Sequence, residues 1–140
     1  MKQMLLVFVG AGVGGVLRHA AGPWVQGLAE RWAHLSPGGG ATAFPAGTLA
    51  VNITGCLAAG VLGGLLGSAS GAREDVRALV MVGILGGYTT FSAFGRETVM
   101  LLLERRVGEA ALYVLLSAAA GLAAVWIGMK LSGALAPQAV

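Results

Sequence analysis

The side chains with the chemistry to handle a small solute are almost all uncharged. Asn52 offers an amide with two N–H donors, for a solute or for an interhelical hydrogen bond, and Thr48, four positions earlier on the same helical face, adds a hydroxyl. Ser92, Tyr113 and Ser117 supply further hydroxyls, with Tyr113, Ser117 and Gly121 falling on one stripe at i, i+4 and i+8. Phe91 and Phe94 bring ring edges, which carry the positive part of the aromatic quadrupole and can touch an anion. Beside them runs Gly83-Ile-Leu-Gly-Gly-Tyr-Thr-Thr-Phe-Ser-Ala-Phe94, with adjacent glycines and a Thr-Thr pair inside an apolar helical run. That composition predicts a break in a helix. In lipid, free backbone N–H and C=O groups survive only where protein or a polar cavity covers them. A break of this kind brings carbonyl oxygens and a positive helix N-terminus to one point. Neutral donors can replace an anion's water without holding the anion too tightly to release it. Exposed carbonyls suit a bound hard cation instead. A cation path would be expected to show rings of acidic residues, and the helix interiors show none.

The charged residues inside apolar runs are few. An unpaired guanidinium at the position of Arg18 costs several kcal/mol at least in hydrocarbon, so it either bonds a backbone carbonyl near an aqueous rim or draws anions into a vestibule. Glu97 reads first as the partner of a nearby arginine and second as a proton-coupling acid. His19 and His34 have no acidic or cysteine neighbours at ligand spacing and read as rim or loop residues. Cys56, the single cysteine, supports no disulfide or metal framework. No nucleophile, base and acid are grouped as an enzyme would need.

The elements that must position these residues follow from composition. The chain has 140 residues, 56% apolar and 11% charged, against roughly one quarter charged in a soluble domain. It reads as an all-α membrane protein forming one domain over residues 1–140. Runs over 4–32, 46–66, 76–103 and 110–129 each meet the requirement of about 20 residues per crossing. The third is expected to break in mid-membrane. Residues 33–45 read as the longest loop and 67–71 as a turn, after which Glu74 and Asp75 suit the positive start of the next helix. Gly10-Ala-Gly-Val-Gly-Gly15 matches a dinucleotide fingerprint only formally, because no strand flanks it; close helix packing explains it better. Asn52-Ile-Thr54 is a formal glycosylation sequon that a membrane span makes unreachable. Trp126 and Lys130 read as interface anchors.

Charge placement bears on assembly. With four spans, one side carries Lys2, Arg73, Arg77 and Lys130 and the other Arg31, Arg105 and Arg106. So small a bias predicts insertion in both orientations and an antiparallel, dual-topology homodimer. The basic residues are scattered at helix ends and form no face for nucleic acid.

Three segments, GVGGVLRH near the start, GTLAVNITG on the second helix and GGYTTFSAFGRE on the third, resemble the Fluc (CrcB) fluoride channel family across nearly the whole chain. The resemblance implies a dual-topology homodimer of four-helix subunits in the cell (inner) membrane, with two fluoride pores and passive export of fluoride from the cytoplasm. It also implies a central structural sodium ion, not transported, held by the backbone carbonyls of Gly86 and Thr89. Phe91 and Phe94 match the family's pore phenylalanines, Asn52 its pore asparagine, and Tyr113 with Ser117 its fourth-helix polar track. Ala93, Cys56 and Gly121 depart from the family pattern. The principal rival is a small proton-coupled exporter using Glu97; a second is a non-catalytic subunit of a larger membrane complex.

Overall fold

A computed structural model describes residues 1–34, 44–66 and 72–135. The loop expected over 33–45 lies mostly, and the turn over 67–71 wholly, outside the described residues. All elements among the described residues are helical: α1 (Lys2–His34), α2 (Ala46–Leu66), α3 (Ala72–Val76), a π-helical segment (Arg77–Leu85), α4 (Gly86–Tyr88), α5 (Phe91–Leu103) and α6 (Val107–Leu135). Four stretches are long and apolar enough to cross a bilayer: Lys2–Trp32, Ala46–Leu66, Glu74–Leu103 and Val107–Gly133. The chain is a multi-pass membrane protein of one small bundle. α6 runs past the expected 110–129 at both ends.

Pro23 sits inside α1 without ending it. Proline has no N–H to donate to the carbonyl four residues back, that of His19, and a transmembrane helix tolerates this where a neighbour or water covers the freed oxygen.

α1 packs along the π-helical segment and α4, and α2 along α6. Glycine makes both contacts possible. A Cβ added to Gly10 would stand 2.9 Å from the Gly83 Cα, and one on Gly87 the same distance from the Ala11 Cα. Gly60 and Gly128 do the same for the second pair, with a Cβ on Gly60 falling 3.1 Å from the Gly128 Cα. Backbone-to-backbone approach of this kind is how small residues bring membrane helices together. The glycines of the formal fingerprint are therefore packing residues at Gly10 and Gly14, while Gly12 and Gly15 meet nothing within 4 Å.

The turn between α5 and α6 closes as a Schellman motif. Arg105 takes the left-handed conformation at φ 61°, its N–H reaches the Leu102 carbonyl and the Arg106 N–H that of Leu101. Arg106 then pairs with Glu104 at 3.1 Å and Glu109 at 2.6 Å. The buried apolar cluster under this turn is Leu101, Ala110 and Tyr113, flanked by Phe44, Leu49 and Phe94. Elsewhere little is covered: between 6% and 22% of each span's apolar window is buried within one chain. The remaining surface is left for lipid or a second polypeptide.

Candidate functional site

The helical path of the third span stops at Tyr88 and resumes at Phe91. Thr89 (φ −76°, ψ 156°) and Thr90 (φ −149°, ψ 116°) between them are extended. Two side chains hold this local geometry. Asn52 on α2 accepts from the Thr90 N–H at 2.8 Å and donates to the Thr90 carbonyl at 3.1 Å. In a continuous α-helix that N–H would bond the Gly86 carbonyl; the amide of Asn52 takes it instead. Thr90 Oγ1 in turn caps α5 by accepting the Ala93 N–H at 3.2 Å. That N–H would otherwise have reached the Thr89 carbonyl. The oxygens of Gly86 and Thr89 both lose their helical donors, and Arg18 Nη1 bonds the Thr89 oxygen at 3.3 Å. Of the two readings of Arg18, the bond to a backbone carbonyl is present, and the side chain also lines a cavity.

Among the described residues, Glu97 does not pair with an arginine. It accepts from Thr48 Oγ1 at 2.7 Å and from the Tyr113 hydroxyl at 2.6 Å. Adjacent residues on a helix do not face each other, and the hydroxyls of α2 and α6 converge on the carboxylate instead. Tyr113 is fully buried. Its ring lies 5.2 Å from Phe94 and 5.6 Å, edge-on, from Phe44, and Phe94 lies 5.4 Å from Phe91. An aromatic row thus runs from the core to Phe91, which is 83% exposed.

Two cavities flank the break. The smaller, about 640 Å³, is lined by Asn52, Cys56, Gly86, Thr89, Phe91, Phe94 and Ser117 among others. Its wall is mainly apolar, and the Ser117 hydroxyl is buried without a hydrogen-bond partner among the described residues. The larger, about 890 Å³, is lined by Arg18, Thr48, Ser92, Arg96 and Glu97 together with His19 and Gln26. Thr90 borders both. The residues singled out in the sequence therefore divide. Asn52, Phe91, Phe94 and Ser117 gather on one side, Thr48, Ser92 and Arg18 on the other, and Tyr113 lines neither, sealed between α5 and α6. Gly121 places its α-carbon side against Cys56, whose Sγ would stand 3.6 Å from an added Cβ.

Carbonyl oxygens released from a ladder are the donor type a hard cation takes, and such cations gather several. Gly86 is exposed and Thr89 partly so, which leaves both oxygens near the surface of the chain. Both are oxygens of the type such cations take, and the Thr89 oxygen already accepts from Arg18.

Sequence reasoning passes over Arg96 and Gln26. The Gln26 amide accepts from the Gly47 N–H at 3.0 Å and donates to the Phe44 carbonyl at 3.2 Å, fixing the start of α2 against α1. An amide inside an apolar run, one turn from Pro23, is the available signal. The π-helical winding of Arg77–Leu85 has none.

The family described as "CrcB-like protein, Camphor Resistance (CrcB)" matches residues 5–129. A protein of Methylobacillus flagellatus named fluoride-specific ion channel FluC is 39% identical over 131 residues, 94% of each chain. Another of that name, from Novosphingobium aromaticivorans, is 40% identical over 131 residues, covering 94% of this chain and 96% of its own. A third, from Methylobacterium nodulans, is 46% identical over 125 residues, 89% and 91% of the respective chains. With nearly its whole length matched by the family and by relatives at this level of identity, the chain belongs to the CrcB family.

Proposed function

We propose that this chain is a fluoride channel, not an enzyme, that lets fluoride leave the cytoplasm passively across the cell's inner membrane. The observation that carries the reading is the near full-length match to relatives named as fluoride-specific channels. The local chemistry supports it. The smaller cavity offers a fluoride ion the spare N–H of Asn52 and the edges of Phe91 and Phe94, with the Ser117 hydroxyl buried in its wall. These donors are neutral, so they replace water without trapping the ion. On the other side of Thr90, Ser92 and Arg18 face the larger cavity, and the hydroxyls of Thr48 and Tyr113 are held by Glu97.

The working form is an antiparallel, dual-topology homodimer with two pores, in which each third span is broken in mid-membrane. The thin coverage of the spans and the nearly balanced flanking charges support it. The Gly86 and Thr89 carbonyls of two copies would together hold a structural sodium ion, which supplies fixed positive charge at the centre and is not itself transported. This chain's part is to present those oxygens: Asn52 and Thr90 divert the two N–H groups that would otherwise occupy them.

Proteoliposomes loaded with fluoride and followed with a fluoride electrode, with chloride as the control, test the reading. Purified chain alone should release fluoride and retain chloride; no release supports the larger-complex reading instead. Glu97→Gln distinguishes the proton-coupled exporter, since fluoride release that persists in this variant without a proton gradient eliminates it.

A further inference from the structure

Arg96 is the cation at the mouth of the larger cavity that no hydrogen bond or ion pair engages among the described residues. It is exposed, follows Gly95 on the second turn of α5, and lines the cavity together with Arg18, His19 and Glu97. The other charges of that wall are committed. Arg18 bonds the Thr89 carbonyl, and the Glu97 carboxylate accepts from Thr48 and Tyr113. Arg18 and Glu97 offset each other, and Arg96 leaves the lining with a net positive charge. Glu30, bonded to Gln26 at 3.1 Å, is exposed beyond this lining beside Arg31, and these two also offset each other. Charges in a cleft with apolar walls act on an approaching ion before it is bound and raise or lower its local concentration.

We propose that Arg96 sets the sign of the potential in this cavity and so the rate at which fluoride arrives at the break from that side. The inference rests on the fluoride channel reading. A unit charge about 5 Å from an anion in water changes the anion's local concentration roughly twofold at ordinary ionic strength. Removing the charge of Arg96 takes the lining to neutral, and reversing it makes the lining negative.

The test is the initial rate of fluoride efflux from proteoliposomes at pH 8, with fluoride well below saturation and little inert salt. With so little screening, Arg96→Gln should lower the rate about threefold and Arg96→Glu about tenfold, while Arg96→Lys keeps it. At saturating fluoride the variants should converge. Raising inert salt should slow the unsubstituted protein and erase most of the difference between variants, because it screens the field. Equal rates for Arg96→Gln and the unsubstituted protein at low salt overturn the inference while leaving the channel reading intact. So does a loss that Arg96→Lys fails to restore and salt fails to move, which marks a packing role. The salt dependence of the unsubstituted protein needs no variant to fold. Absence of any fluoride release from it at either salt concentration overturns both readings.

Discussion

Asn52→Ala removes a clamp from the interrupted third span. Its amide makes two bonds to one residue, accepting the Thr90 N–H at 2.8 Å and donating to the Thr90 carbonyl at 3.1 Å. Interhelical hydrogen bonds in membrane proteins are worth about 0.6 kcal/mol on average and up to about 1.7, so losing both costs about 1–3 kcal/mol. The substitution has a second effect. The freed N–H has a waiting acceptor in the Gly86 carbonyl, four residues back, so the helix can close over the interruption and withdraw an oxygen from solvent. Equilibrium unfolding in mixed micelles measures the first effect and fluoride efflux the second; both should fall in Asn52→Ala. Asn52→Asp is the informative companion. It still accepts the Thr90 N–H but sets a carboxylate against the Thr90 carbonyl, so it should keep the interruption and lose more stability than Ala. An Asn52→Ala protein as stable as its parent to within about 0.3 kcal/mol, below the average worth of even one such bond, would refute the clamp.

Phe91→Ile and Phe94→Ile should each slow fluoride passage with oligomeric state unchanged on a sizing column, and Phe94 should cost more stability because it packs on Tyr113 while Phe91 is 83% exposed. Normal efflux in both variants removes the aromatic role. Gly60→Val forces a branched side chain toward the Gly128 backbone, 3.1 Å from the nearest position of a Cβ. The α2–α6 contact should weaken by about 1–3 kcal/mol, seen as an earlier unfolding midpoint, whereas Gly12→Ala, which meets nothing within 4 Å, should be nearly silent. Two or three lysines added on one side should bias insertion in a reporter-fusion assay, and an unaltered reporter pattern counts against dual topology.

Much of this architecture is legible in the amino-acid sequence. Apolar runs mark the spans because hydrocarbon thickness imposes a minimum length, and the Gly-Gly and Thr-Thr pairs mark the stretch where regular winding stops. Long-range partners are not legible in the same way. Asn52 reads as a donor for a solute or as an interhelical link, and which residue it links to, Thr90, depends on how α2 lies against a residue 38 positions away. Glu97 likewise reads as half of an ion pair, since opposite charges nearby in sequence invite that pairing. Its neutral partners lie on α2 and α6, 49 and 16 positions away along the chain. Tyr113, Ser117 and Gly121 share a stripe as expected, yet the stripe passes from sealed core to cavity wall along its length, a distinction periodicity does not carry.

The thin coverage of the four spans, at most 22% of any apolar window, makes the folded state of this polypeptide a property of its surroundings. Most of the area that must leave water does so against neighbours, so acyl-chain thickness and protein-to-lipid ratio enter its stability alongside temperature. For the proposed dimer, resistance to unfolding should accordingly be written as a function of dilution in the bilayer, with no single number describing the protein in every host.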